Sequence, residues 1–568
     1  MKKYFWLILI VLLAAFLRLW KLNSLPLDTH VDEVMNAYVG NFTLKNGTDL
    51  YGNKWPILYF NNFGDYPNIL PMYLSGLGIL LFGNNEFGMR APIALFGIVS
   101  IILAYFVGKL IFQKKSLALF AAFSLAIFPW HIILSRATAE GITASTVFLL
   151  GIYLLLRNLK KQKLLPLVIA WLILLSTYLL YPAYRIIVPL ALLPTFLLSK
   201  DKKTKIFCIV IAVVSLILTF MISQTAWGTG RFEQTSLFSQ QSSVYPLQAE
   251  FIAGEGHENA LKARVLYNKA IMFGKEFIKQ YASYFSIDFL FASGGLPMRY
   301  FVPNQGLWYY SYLLLWLIFI GLALLKNQYF TKSISFILPT KDQRKYLFYF
   351  IYLLLLSPLS AALTIDDVPN VHRATLMPLI LSILSGLLLS VFYKLPKKKI
   401  IFTCFMFLVI FESFYFFNKY AVHAGKFQQV YRSPAMKNLA YYLAEQKNNY
   451  DSIYIERKGE TAIYYLFYNQ IYDSKLNQQF QTKLQIPQVE SIHFTKHECV
   501  YPGLIETDLS QKTSLFIVSS SCYDERPKIL EDHPKLQEIA QIKSSQGDTI
   551  FKVYQFEATN SAKQQKPI

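Results

Sequence analysis

YFWLILIVLLAAFLRLW, Tyr4 to Trp20, is an unbroken apolar run, and soon after it comes THVDEVMNAYVG, Thr29 to Gly40. A helix needs roughly 17 to 25 apolar residues to cross a bilayer core, so the run reads as a membrane span. It passes into Leu17, Arg18, Leu19 and Trp20 without a small-residue cleavage site, which predicts a retained anchor rather than a removed signal peptide. The segment after it packs an imidazole and two adjacent carboxylates, His30, Asp32 and Glu33, into four residues. A charge near a bilayer core costs at least a few kcal/mol, so such groups at a span end call for a functional explanation.

The composition agrees with the membrane assignment. Of 568 residues, 54% are hydrophobic, 16% aromatic and only 16% charged, and the mean hydropathy is +0.35, which excludes a disordered chain and an ordinary soluble globule. Further apolar runs stand at 87–112, 117–134, 141–156, 164–181, 186–198, 206–222, 307–325, 346–363, 374–393 and 400–417. They predict an α-helical polytopic membrane protein with about 11 transmembrane helices. The net charge of +21 comes from short clusters between the runs, such as Lys114–Lys115, Lys160–Lys163, Lys200–Lys205 and Lys394–Lys399. That distribution is a topology signal and not a nucleic-acid face. With Lys2 and Lys3 cytoplasmic, every strongly basic short connector falls on the cytoplasmic side, as expected of a multi-pass protein of the cytoplasmic (inner) membrane. Ile69 to Phe82 would invert every later connector if it crossed, so it is expected to be an interfacial or re-entrant helix in the first outer loop.

Two outer loops, 21–86 and 223–306, and the tail are long enough to carry structure. The tail mixes the β-rich runs SIYIE (Ser452–Glu456), SLFIVSS (Ser514–Ser520) and TIFKVYQFE (Thr549–Glu557) with a helical pattern at 433–446. The expected division is a membrane domain, 1–417, and an extracytoplasmic α/β domain, 418–568. Cys208 and Cys404 lie in spans and are expected core residues; Cys499 and Cys522 form a candidate disulfide, although spacing alone leaves their pairing open. The chain has no GxxxxGK, no GxGxxG after a strand and no GxSxG, so ATP coupling and a Rossmann nucleotide-sugar site have no support.

Polar residues gather at the outer span ends, and each has two readings. Thr29 and Asp32 fit a helix N-terminal capping box, or Asp32 is a reactive carboxylate. Arg90, Arg136, Arg185 and Arg373 snorkel to headgroups or meet a ligand, and Tyr178, Tyr181 and Tyr184 form an interfacial belt or stack on a sugar or lipid stem. The order of seven segments favours the functional side: the Asp32–Glu33 pair, GTDLYGNKWP (Gly47–Pro56), LFGNNEFGMRAP (Leu81–Pro92), SRATAE (Ser135–Glu140), TYLLYPAYR (Thr177–Arg185), FSIDFLFASGGLPMR (Phe285–Arg299) and IDDVPNVHRATLMP (Ile365–Pro378).

In that order they resemble the bacterial members of glycosyltransferase family 39, relatives of the protein O-mannosyltransferases and the lipid A aminoarabinose transferases, which have the GT-C fold. The resemblance spans Leu12 to Leu384. It implies transfer of a sugar from a polyprenyl-phosphate donor to a cell-envelope acceptor at the outer membrane face, with inversion. Asp32 stands where the general base belongs and Glu33 beside it as an orienting neighbour. The leaving phosphate gains charge in the transition state, and Arg90, Arg136, Arg299, His372 and Arg373 are the candidate cations, with Arg90 and the His372–Arg373 pair foremost. Glu140, Tyr184, Arg185 and His30 are the candidate acceptor or sugar contacts.

The chain departs from many relatives in one place: Gly64, Asp65 and Tyr66 precede Pro67 where a Lys or His is common, leaving Lys54 as the available substitute. The resemblance requires no cofactor; Asp366–Asp367 beside His372 is too weak a cluster to define a metal site, and a divalent metal stays open. Expected partners are the lipid-linked sugar, membrane lipids and an envelope acceptor, with no nucleic acid. The alternative is a transporter or flippase, against which stand the absence of mid-span charges and of an inverted repeat.

Overall fold

The computed structural model describes residues 4–556 except 62–65, 160, 162, 326–327, 390–397, 457–460, 477–478, 480–486 and 506–512. Gly64 and Asp65 of the divergent segment, Lys160, and Lys394 to Lys397 therefore lie outside the described residues. The first ten helices are α1 (Phe5–Leu19), α2 (Val31–Asn46), α3 (Ile69–Phe82), α4 (Glu86–Phe112), α5 (Lys115–Ile127), α6 (Pro129–Ser135), α7 (Glu140–Asn158), α8 (Leu164–Ser176), α9 (Tyr184–Leu192) and α10 (Lys202–Ser223). Among the described residues, five helices are long and apolar enough to cross a membrane: Glu86–Phe112, Glu140–Asn158, Lys202–Ser223, Lys341–Ala362 and Lys399–Tyr431. The α5–α6 pair makes a sixth if its two parts form one bent span, and shorter apolar helices occupy every other predicted run. The 57° bend between α5 and α6 falls at Phe128–Pro129, where proline lacks an N–H and holds the preceding residue in extended backbone.

The helices alternate in direction, which sorts the connectors by charge. The connectors that carry Lys114–Lys115, Lys200–Lys205 and Lys341–Lys345 share one end of the bundle: Gln343 donates to the Phe112 carbonyl at 3.1 Å and Lys345 to the Leu197 carbonyl at 3.0 Å. The segments that carry the acids, histidines and remaining arginines meet at the other end. Cys208 is buried in the bundle core, whereas Cys404 is exposed on its helix and not a core residue.

At the polar end, α2 and α3 lie against each other along a glycine contact. A Cβ on Gly40 would overlap the Met72 carbonyl, and one on Gly76 would overlap the Gly40 backbone. The N-cap of α2 is His30, not Thr29: His30 Nδ1 accepts the Asp32 N–H at 3.2 Å, and Thr29 Oγ1 stands 3.5 Å from the Tyr468 hydroxyl instead. Both carboxylates thus fall in the first turn of α2, where the helix dipole favours negative charge.

The tail carries a six-stranded mixed sheet of order β2-β3-β1-β4-β6-β5, formed by β1 (Ser452–Ile455), β2 (Gln488–Val489), β3 (Ile492–Phe494), β4 (Ser514–Ser519), β5 (Leu536–Lys543) and β6 (Thr549–Phe556). β1 pairs in parallel with β3 and β4, while β6 runs antiparallel to β4 and β5. The helices Met436–Gln446 and Thr461–Tyr468 share one apolar cluster with α2 and this sheet, including Val34, Tyr38, Leu439, Leu466 and Leu515. Cys499 and Cys522 are joined, with Cα atoms 5.7 Å apart.

The α2–α3 contact yields a direct prediction. Overpacking a tight contact costs about 1–3 kcal/mol, so Gly76→Val is expected to lower the thermal melting temperature of the purified protein. A melting curve superimposable on wild type would show that the two helices need no such close approach.

Candidate active site

The two neighbouring carboxylates of α2 lead separate lives. Glu33 is buried, with 4% of its side chain exposed, while Asp32 has 59% of its side chain exposed. Glu33 receives Arg90 Nη2 at 3.1 Å, and Arg432 Nη2 at 2.9 Å from both carboxylate oxygens. Burial alone would raise its pKa, but the guanidiniums of Arg432 and Arg90 prevail and hold the carboxyl at about 2. Such a group is a structural anion. It is not the orienting partner of Asp32 expected from sequence, and it has no capacity to take a proton near neutral pH.

Several sequence candidates prove to be framework. Arg90 also donates to the carbonyls of Leu22, Pro26 and Asp28, and Arg136 to those of Leu17, Trp20 and Leu25; both are fully buried. Irregular backbone enclosed by protein needs donors for its carbonyls, and the fork of an arginine supplies several at once. These two arginines strap the loop between α1 and α2 and are not open to a donor phosphate. Arg185 stacks on Trp227, 4.0 Å from the ring centroid, and donates to Asn68 Oδ1 at 2.8 Å, while Tyr184 is buried against Phe148. Neither is placed to contact a sugar. Lys54, in the loop after α2, is exposed.

The remaining candidates converge. Asp32 Oδ2 lies 3.2 Å from His30 Nδ1 and 3.7 Å from Arg299 Nη2, and Arg299 Nη1 is 3.3 Å from His30 Nε2. Arg299 also lies over Tyr300, whose ring meets His372 edge-on at 6.0 Å. His372 Nε2 is 3.2 Å from Glu140 Oε2, and Asn36, one turn along α2 from Asp32, donates to Glu140 Oε1 at 3.1 Å. Tyr181 faces the His372 ring at 5.1 Å. Arg373 points along its own loop, paired with Asp366 at 3.4 Å and with Thr364. The result is a part-buried cluster of carboxylates, histidines and an arginine, in which Asp32 is the most accessible acid. Among the described residues no three His, Cys, Asp or Glu side chains are arranged to hold a metal ion.

Arg432, Asn36 and Tyr300 were not singled out from the sequence. Asn36 stands four residues from Asp32, on the same helix face, and that spacing is a usable signal. Arg432 offers none: 399 residues separate it from Glu33.

Residues 65–227 match the family model described as dolichyl-phosphate-mannose-protein mannosyltransferase. The fold matches ArnT from Cupriavidus metallidurans bound to undecaprenyl phosphate, with a TM-score of 0.55 and 13% identity over 99% of this chain and 100% of that one. The apo state of the same ArnT gives a TM-score of 0.54 and 12% identity at the same coverage. The oligosaccharyltransferase AglB from Archaeoglobus fulgidus, in complex with an inhibitory peptide and a dolichol-phosphate, covers 92% of this chain and 70% of its own at a TM-score of 0.47 and 13% identity. No curated protein matches the chain in sequence. The chain shares the GT-C fold of ArnT, and its residues 65–227 are similar to the protein mannosyltransferases, in line with the resemblance carried by its loop segments.

The division of labour on α2 is testable. Removing one partner of a buried ionic cluster costs about 3–5 kcal/mol, so Glu33→Gln, which leaves Arg90 and Arg432 uncompensated, is expected to destabilise the protein strongly. Asp32→Asn should melt like wild type. The Glu33 pKa falls from 4.5 to about 2 on folding, so its contribution is complete above pH 4.5 and drains as the pH drops from there toward 2. Melting curves across that range should show an acid-side loss in wild type that is smaller in Glu33→Gln. Equal acid sensitivity in both proteins would remove Glu33 from this role.

Proposed function

We propose that the protein moves a sugar from a polyprenyl phosphate to a hydroxyl of a cell-envelope acceptor, with inversion, at the outer face of the cytoplasmic membrane. The observation that carries the proposal is the exposed Asp32 carboxylate beside Arg299. A hydroxyl nucleophile needs a base within hydrogen-bond reach, and a leaving phosphate needs a fixed cation nearby. Asp32 takes the acceptor proton as the hydroxyl oxygen attacks the anomeric carbon. The bond to the phosphate oxygen breaks on the opposite face, so a single displacement inverts the centre. Arg299 neutralises charge on the departing phosphate, and His30 holds Asp32 in place. The phosphate needs no proton to leave. Glu140, fixed by His372 and Asn36, accepts hydrogen bonds from sugar hydroxyls.

The structure of ArnT with undecaprenyl phosphate supports a lipid phosphate as the donor carrier on this fold. The lysine-rich connectors at the opposite end of the bundle support an outward-facing site and a cytoplasmic N-terminus. The Cys499–Cys522 disulfide supports an oxidising, extracytoplasmic location for the tail.

The test is transfer of radiolabelled sugar from polyprenyl phosphate to cell-envelope fractions by purified protein. General-base catalysis contributes about 10²–10⁴-fold, so Asp32→Asn should lose at least two orders of magnitude in kcat while retaining donor binding. Transfer at the wild-type rate would remove Asp32 from the reaction, and no transfer to any fraction would favour the transporter. The orientation has its own check: a cysteine placed at Lys202 should resist impermeant thiol reagents in intact cells, and labelling there would invert the topology.

A further inference from the structure

A cavity of about 190 Å³ lies where the first loop, the start of α4 and the tail domain meet, and none of the groups gathered around Asp32 lines it. Its polar walls come from distant parts of the chain: Asp28 before α2, Glu86 in the first turn of α4, Lys437 and Asn438 from the tail helix, and Ser545 in the turn between β5 and β6. Tyr468 adds an aromatic wall. Drug-sized ligands occupy about 300–1,000 Å³, so the space suits one small ring and not a lipid tail.

The lining fits a polyhydroxyl compound. Carboxylates and an amide oxygen accept from ligand hydroxyls, whereas the ammonium and side-chain hydroxyls donate to them. The acids are already oriented: Glu86 Oε1 receives Lys437 at 2.7 Å and Tyr468 at 3.1 Å, and Asp28 Oδ2 receives Ser545 at 3.3 Å. Asn438 Nδ2 is engaged by the Lys543 carbonyl at 2.9 Å, which turns its amide plane to a fixed orientation. The charges are balanced locally, since Lys437 answers Glu86 while Arg432 and Arg90 lie near Asp28. A neutral ligand therefore disturbs the pocket least.

We propose that this cavity binds one neutral pyranose ring. It further follows, resting on the transfer reaction proposed above, that the ring is a sugar unit of the acceptor, which makes the acceptor a glycan. Asp28 and Thr29 line the cavity and Asp32 follows three residues after Thr29, so the cavity adjoins the loop that leads into the candidate site.

The experiment titrates full-length protein in detergent with a panel of neutral methyl hexopyranosides and their disaccharides, read by calorimetry and thermal shift. Wild type and Asp32→Asn are expected to bind at least one member. Asn438→Leu and Ser545→Leu, which fill the cavity with side chains from the exposed rim, should melt like wild type and bind at least tenfold more weakly. Absence of binding to every member, or binding unchanged in both leucine variants, overturns the proposal. The two levels separate cleanly. Cavity binding with no transfer by wild type to any acceptor rejects the reaction alone, whereas lost transfer in Asp32→Asn without cavity binding rejects the pocket alone.

Discussion

The carboxylate of Glu33 lies buried between Arg90 and Arg432, and that ionic junction is the constraint on which the rest of the structure depends. Arg90 belongs to the first long membrane helix, Glu33 to the first loop and Arg432 to the segment entering the tail domain, so one anion joins three parts of the chain. Desolvating three charges is costly, and the cost is met only because the pairing is close and the remaining donors reach loop carbonyls. The junction is better understood as a device of registration than of bulk stability. It fixes where α2 begins and how its first turn is rotated.

That rotation produces the site. Successive residues of a helix point about 100° apart, so once Glu33 is drawn into the junction, Asp32 is turned elsewhere. It emerges beside His30 and Arg299, and Asn36, one turn on, reaches Glu140. Tail-domain packing on α2 through Leu439 and Leu466 reinforces the arrangement, so a domain with no group in the cluster still sets its geometry. The adjacent acids of the sequence thus divide into one that holds and one that is offered.

Much of the fold was legible in the sequence, because bilayer thickness dictates the length of apolar runs and lysine clusters mark their ends. The strands at 452–455, 514–519 and 549–556 were equally visible, being rich in β-branched and aromatic residues. β5 was not: LQEIAQIK lies at the sheet edge with most of its side chains exposed, so no apolar run marks it. In the site, Asp32, Arg299, His372 and Glu140 were each named from sequence, and the structure brings them together. For Arg90 the sequence points to a phosphate, and for Arg136 and Arg185 to a ligand or to ordering of the loops, because an arginine at a span end looks the same in sequence whether it faces a ligand or a buried oxygen. The carbonyls that Arg90 and Arg136 meet belong to the end of α1 and the loop that follows it, and nothing in local composition announces them. Arg432 was beyond reach, since its partner is set by the packing of the tail.

The most direct test of the account is a structure of the protein with a polyprenyl-phosphate sugar bound. The phosphate is expected against Arg299 and the anomeric carbon open to a hydroxyl held by Asp32, with Glu33 still enclosed by Arg90 and Arg432. A phosphate seated on Arg90 with Glu33 released toward the sugar would contradict it.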